Sequence, residues 1–225
     1  MIEINHVWKR YHHFIANSWV LRDIHLTIPS KTSIGLIGKN GAGKSTLLSL
    51  IAGMDSPSRG SITRHCSVSW PIGLSGGFHH SMTGRQNVKF VTRMLGSEEN
   101  TAQIIDFVQD FAEIGSAFDQ PISTYSSGMS ARLKFGLSLA FDFDIYLSDE
   151  ATAVGDRVFR KKAEEAFKAR VQKSSLIIVS HSEGILKELC QSGIWLHEGK
   201  AHWFEDINDA IKSYHASTEQ KDHLK

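Results

Sequence analysis

Eight consecutive residues carry the clearest chemistry in the chain. Gly38-Lys-Asn-Gly-Ala-Gly-Lys-Ser45 fits G-x-x-x-x-G-K-[ST] at every fixed position, the spacing of a phosphate-binding loop. Glycines at 38, 41 and 43 let the backbone curl, so that successive N–H groups converge on an anion. Asn40, Ala42 and Thr46 complete the loop, and a helix opening at Ser45 points its positive end at the same place. Lys44 adds a charge for the β- and γ-phosphates of a nucleotide, and the Ser45 hydroxyl suits Mg²⁺. The companion acid is expected at the end of another strand. Ile145-Tyr-Leu-Ser-Asp149-Glu150 offers Asp149 as a Mg²⁺ ligand and Glu150 as the base that polarises an attacking water. A third strand ends in Val179-Ser180-His181, and a histidine there can donate to a γ-phosphate oxygen.

These groups need a scaffold that brings strand ends together. Ser33–Ile37, Ile145–Leu147 and Leu176–Val179 are short apolar runs without alternation, as strands buried on both faces of a parallel sheet are. Helical patterns separate them, which predicts an α/β sheet in which the Asp149 strand can lie beside the strand leading into the phosphate loop. Before this core, Ile2/Ile4 and Ile24/Leu26/Ile28 alternate with polar neighbours, the period of half-buried antiparallel strands. Helices are predicted over 86–95 and 101–114, the second with a stripe of Ile104, Ile105, Val108, Phe111 and Ala112, and another over 183–190. Ile194–Leu196 and Ala201–Phe204 form a hairpin about Glu198-Gly199-Lys200, followed by a polar helix.

Composition sets the frame. The 225 residues carry 25 Lys+Arg against 24 Asp+Glu, a formal charge of +1, which disfavours a strongly electrostatic nucleic-acid binder. No apolar run is long enough to span a bilayer, and Met1–His6 lacks the basic and apolar regions of a secretory signal. Cys66 and Cys190 sit in unrelated contexts and read as idle thiols of a reducing compartment.

A phosphate loop alone fits many NTPases. Tyr125-Ser-Ser-Gly-Met-Ser130, ahead of Asp149, is more specific: it resembles the signature of ABC transporter nucleotide-binding domains, usually Leu-Ser-Gly-Gly-Gln. Ser126 and Gly128 match, while Ser127 replaces a glycine, Tyr125 the leucine and Met129 the glutamine. The resemblance implies an α/β P-loop NTPase core with a parallel sheet, N-terminal antiparallel strands and an inserted helical subdomain. It implies one domain over 1–225, with the helical subdomain at about 84–140 and a C-terminal helix or tail at about 205–225. It further implies that Ser126, Ser127 and Gly128 grip the nucleotide held by a second copy, so that ATP binding closes a homodimer. Asp156 stands in the position of the family's D-loop acid, and Tyr11, with Trp8 and His12 close by, near that of the aromatic that stacks on adenine.

One departure is informative. The family's glutamine at the entry to the helical subdomain has no counterpart between Ser67 and Arg85; Ser75 and His79 are the polar candidates to replace it. Ser69-Trp-Pro-Ile-Gly, Gly-Gly-Phe78, Thr83-Gly-Arg-Gln-Asn-Val88, Tyr125-Ser-Ser-Gly-Met and Thr152-Ala-Val-Gly-Asp156 together resemble ATPases of capsular polysaccharide exporters of Gram-negative bacteria. The resemblance implies a peripheral ATPase on the cytoplasmic face of the inner membrane. It would use ATP and Mg²⁺, pair with two copies of an integral membrane permease, drive polysaccharide export and have no nucleic-acid partner. The alternatives are an O-antigen or teichoic acid exporter, a soluble non-transport ABC ATPase, and a nucleotide-binding regulator without turnover.

Overall fold

A computed structural model describes residues 1–11, 19–72, 78–149 and 156–222. The chain divides into two compact units. The first comprises Met1–Pro71, Phe143–Glu150 and Ser174–Lys225, the second Ile72–Asp142 and Ala151–Lys173. The helical segment expected at 84–140 falls within the second unit, which also takes in the helix after Asp156.

Within the first unit, β1 (Ile2–Lys9), β2 (Leu21–Ile28) and β4 (Arg59–Arg64) form an antiparallel sheet ordered β2-β1-β4 among the described residues. The alternation expected in β1 is broken once. His6 adopts φ 48 and the register shifts between Ile4 and Val7, so a bulge resets the phase. Ile2, Ile4, Val7 and Lys9 are then the buried positions.

The second sheet contains β3 (Ile34–Ile37), β5 (Val68–Pro71), β6 (Ile145–Asp149), β7 (Ser175–Val179), β8 (Ser192–His197) and β9 (Lys200–Phe204), in the order β5-β6-β7-β3-β8-β9. Five strands run parallel and β9 returns antiparallel to β8. One expectation needs correction: β6 does not neighbour β3, because β7 lies between them. The three phosphate-site strands are still consecutive, and β3 and β7 are buried at every position. At the edge, Pro71 of β5 lacks an N–H to donate. Two residues earlier, Ser69, fully buried, accepts the Leu147 amide on its hydroxyl at 2.9 Å and so ties β5 to β6. The β8–β9 turn is Glu198-Gly199 alone, with φ of 50° and 81°, the two left-handed positions of a tight hairpin turn; Lys200 already belongs to β9.

The helices of this unit are α1 (Lys44–Ala52), α6 (Glu183–Leu189) and α7 (Ile207–Asp222). Two glycines decide where α7 rests. Gly35 and Gly193 pair across β3 and β8. A Cβ at Gly35 would come within 2.6 Å of Ile207 Cδ1, and one at Gly193 within 2.5 Å of Ala210 Cβ. Their missing side chains let α7 lie directly on the sheet.

The second unit holds α2 (Gly84–Met94), α3 (Thr101–Ala112), α4 (Ser127–Leu139) and α5 (Arg157–Val171). The expected α3 stripe is buried in full. Phe111 stacks on Phe135 at 6.1 Å and meets Phe159 edge-on at 5.6 Å, a geometry aromatic pairs favour.

The two cysteines are free, Cys190 buried and Cys66 partly exposed. Burial pushes the Cys190 thiol up to about 12, so at pH 8 it carries no thiolate to react. Titration with a thiol reagent at that pH should modify Cys66 alone in the native protein and both cysteines after denaturation.

Candidate nucleotide site

The site is built at the carboxyl edge of the central strands of the first unit. Strand β3 ends at Ile37 and the chain enters the loop at Gly38. A Cβ at Gly38 would stand 2.5 Å from the Leu196 carbonyl oxygen, so the loop leaves the sheet too close to β8 for any side chain. Gly41 and Gly43 adopt φ of 79° and 99°, backbone that L side chains avoid. The curl is closed by a bond from the Ala42 amide to the Lys39 carbonyl at 3.1 Å, and the Leu47 amide then reaches the Gly43 carbonyl at 2.9 Å. Helix α1 starts at once. Its first-turn N–H groups have no intrahelical acceptor and add the helix's partial positive charge to the loop.

Lys44 folds its ammonium over this loop and donates to the carbonyls of Gly38 at 2.7 Å and Lys39 at 3.0 Å. The charge is therefore held beside the curled backbone. A cavity of about 550 Å³ opens there. Asn40, Gly41, Gly43, Lys44, Ser45 and Thr46 line it from the loop and α1, and Asp149, His181 and Tyr11 line it from elsewhere. Its volume falls in the range of small-molecule and cofactor pockets. The sheet order explains the convergence. Asp149 pairs with Val179 in register, His181 follows two residues later, and β7 runs beside β3. Cavity, positive loop and oxygen donors together fit a nucleoside polyphosphate.

The other expected residues fall in three groups. Gly38 and Ala42 shape the loop, and Gly38 lines a smaller cavity of about 170 Å³ together with Lys44, His181, Glu183, Tyr214 and His215. There His215 Nε2 is 2.6 Å from Glu183 Oε1. Hydrogen bonds from His215 first, and then Lys187, hold the Glu183 carboxyl below the usual carboxylate range, and the His215 bond joins α6 to α7 beside His181. Ser126, Ser127, Gly128 and Asp156 belong to the second unit. Ser126 caps α4, accepting the Met129 amide on Oγ at 3.2 Å, as serine at a helix N-terminus commonly does. Among the described residues, a Cβ at Gly128 would meet nothing closer than Ser126 Oγ at 3.9 Å. Asp156 caps α5 through the amides of Val158 and Phe159 and pairs with Arg132 at 2.5 Å. The Phe159 amide, ahead of the Arg132 guanidinium, keeps its carboxyl below the ordinary range. Glu150, with Ser75, His12 and residues 152–155, lies outside the described residues.

The stretch from Thr83 to Asn87 proves to be a folding motif of the second unit. Thr83 and Gln86 form a reciprocal capping box on α2. Asn87, fully buried, accepts the His79 amide at 2.7 Å and donates to the Thr83 carbonyl at 2.9 Å. Gly84 leaves room for the Tyr125 hydroxyl, which a Cβ would approach to 2.5 Å. Tyr125 donates to the Ala117 carbonyl at 2.7 Å, and burial pushes its phenol up. Tyrosine in place of the expected leucine is thus an anchor between the α2 and α4 termini. Two residues of the first unit went unread in the sequence: Lys9 and Asp55, both bonded around Tyr11. Only the β1 bulge turns Lys9 inward, and no spacing pattern announces a bulge.

The geometry defines a P-loop nucleotide-binding fold. The ABC transporter family pattern matches residues 21–153, more than half of the chain, and the chain belongs to the ABC transporter family. It is 48% identical over 215 residues to the polysialic acid transport ATP-binding protein KpsT of Escherichia coli, covering 95% of this chain and 98% of that protein. It is 42% identical to the capsule polysaccharide export ATP-binding protein CtrD of Neisseria meningitidis serogroup B, covering 96% and 99% respectively. The teichoic acids export ATP-binding protein TagH of Bacillus anthracis is 36% identical over 87% of this chain, a match spanning 36% of TagH. Among solved structures, the dimeric ATP-binding cassette MJ0796 in a post-hydrolysis state with ADP and Pi superposes at a TM-score of 0.72. The identity is 18%, over 92% of this chain and 99% of that one, and the likeness shows the shared fold.

Replacing Gly38 by alanine sets a methyl group against the Leu196 carbonyl, which as backbone cannot swing away. Overpacking of this kind costs about 1–3 kcal/mol. Gly38→Ala should lower the melting temperature and weaken ATP binding together, whereas Gly41→Ala, with no described residue within 4 Å of the added methyl but φ of 79°, should act through backbone strain. Calorimetry with and without ATP checks both.

Proposed function

We propose that this chain is the ATP-binding and ATP-hydrolysing subunit of an exporter of capsular, cell-surface polysaccharide. It works at the cytoplasmic face of the inner membrane as a homodimer and pairs with two copies of an integral membrane permease. The observation that carries the reading is the cavity lined by Lys44, Ser45, Asp149 and His181, in a chain that matches KpsT and CtrD along nearly their whole lengths. The same comparison favours capsular cargo over teichoic acid, since the match to TagH is weaker and spans little more than a third of that protein. Among the described residues no helix is long and apolar enough to cross a membrane, which accords with a membrane path supplied by the permease.

Each residue has a role in this reading. The Gly41–Thr46 backbone cradles the phosphates, and Lys44 exchanges its loop carbonyls for phosphate oxygens. The Ser45 hydroxyl and the Asp149 carboxylate are hard oxygen donors suited to Mg²⁺, which would offset the charge building on the phosphates. Glu150 orients and deprotonates the attacking water. His181 donates to the terminal phosphate. Tyr11 stacks on adenine. Ser126, Ser127 and Gly128 close on the nucleotide of the second copy. Among the described residues a Cβ at Gly128 would meet nothing closer than 3.9 Å, which suits close approach by an outside group. Asp156 sets the start of α5 through the Val158 and Phe159 amides.

Two substitutions test the reading. Lys44→Ala should abolish tight Mg·ATP binding without loss of fold; unchanged affinity would remove the cradle. Glu150→Gln should bind ATP normally, accumulate as an ATP-dependent dimer in light scattering, and turn over about 10²–10⁴-fold more slowly, the span a general base contributes. Turnover at the wild-type rate would deny Glu150 its role.

A further inference from the structure

The Tyr11 ring is held by two residues that the nucleotide reading has not used. Lys9 is 8% exposed, and a buried ammonium requires partners. Its Nζ donates to Asp55 Oδ1 at 2.6 Å and to the Ser56 carbonyl at 2.8 Å. It also lies over the Tyr11 ring, 4.8 Å from the centroid, within the range of a cation–π contact. The Tyr11 hydroxyl donates to the other carboxylate oxygen, Asp55 Oδ2, at 3.0 Å. The ring is thus held at its hydroxyl by Asp55 and across one face by Lys9. Burial pushes the Asp55 carboxyl up, but bonds from Lys9, the Ser56 amide and Tyr11 outweigh it and leave it below the usual range. The carboxylate is charged throughout neutral pH.

The fold ties this arrangement to the phosphate loop. The bulge at His6 turns Lys9 to the inward face of β1. Asp55 follows α1 directly, where Gly53 ends the helix with φ 76° and donates to the Leu50 carbonyl. Arg64 covers the last carbonyls of the same helix, donating to Leu50 at 2.5 Å and Ile51 at 2.7 Å. One end of α1 therefore forms the phosphate cradle, and the segment leaving its other end grips the aromatic ring that lines the same cavity.

We propose that Lys9 and Asp55 are positioning residues that hold Tyr11 ready for the nucleobase, so that they set affinity for the base and not for the phosphates. The proposal rests on the reading of Tyr11 as the adenine-stacking residue. Its physical content is pre-organisation: a ring already ordered in the free protein does not have to be ordered when the base arrives.

The test compares Mg·ATP with Mg·tripolyphosphate, which carries phosphates and no base, on the full chain and its variants. Asp55→Asn keeps the shape of the side chain and removes its charge; Tyr11→Phe keeps the ring and removes its hydroxyl. Each should raise the Kd for ATP by about 3–10-fold, the equivalent of ordering one side chain on binding, while tripolyphosphate affinity stays within about two-fold. KM should rise with kcat at saturating ATP little changed. Tyr11→Ala should lose as much as or more than Asp55→Asn, and the double variant should be no weaker than Tyr11→Ala alone, because Asp55 acts only through the ring. Unchanged ATP affinity in Asp55→Asn, equal losses for both ligands, or losses that multiply in the double variant would each overturn the proposal. If Lys44→Ala loses ATP but Tyr11→Ala does not, the stacking reading falls and the positioning role with it.

Discussion

The structure depends on one backbone constraint: a loop that turns its amides inward immediately after a buried strand and immediately before a helix. Such a turn needs left-handed backbone at Gly41 and Gly43 and no side chain at Gly38, where the Leu196 carbonyl blocks the way. It also concentrates positive partial charge, and an anion relieves that concentration. Lys44 bonds the loop's own carbonyls, so its charge already sits at the cradle and can transfer to an incoming phosphate without a long reach.

Everything else in the first unit serves that turn. Strands β3 and β7 are buried throughout and β6 nearly so, and their parallel register places Asp149 and His181 on the same edge as the loop. Helix α7 lies on the Gly35–Gly193 pair and carries His215 to Glu183, bracing the segment after His181. At the far end of α1, Asp55 and Lys9 hold Tyr11. One short helix thus links the glycine loop and Tyr11, which line the same cavity.

The loop was legible in the sequence because glycine spacing is itself the structural requirement. The buried strands were legible because strands covered on both faces have only one composition available. Their order was harder. Asp149 was expected on a neighbour of β3, yet β7 intervenes, and adjacency in a parallel sheet leaves no local mark. Strand β4 (Arg59–Arg64) shows no alternation because almost all of it is exposed, and β5 is four residues ending in proline. Thr83–Asn87 could be matched as a family word, but its physical meaning needed the structure. A capping box, a buried asparagine and a glycine beneath a tyrosine are readable only once the helix ends are known. Lys9 was hidden by the bulge, since strict alternation would have turned it outward. Glu150 was legible as chemistry but lies outside the described residues.

The most direct measurement is a crystal or cryo-EM structure of the Glu150→Gln protein with Mg·ATP. The triphosphate should lie at the amides of Gly41–Thr46, with Lys44 moved from the Gly38 and Lys39 carbonyls onto phosphate oxygens and Ser126 of a second copy at the terminal phosphate. Nucleotide bound elsewhere, or Lys44 still bonded to those carbonyls with the triphosphate present, would contradict this reading.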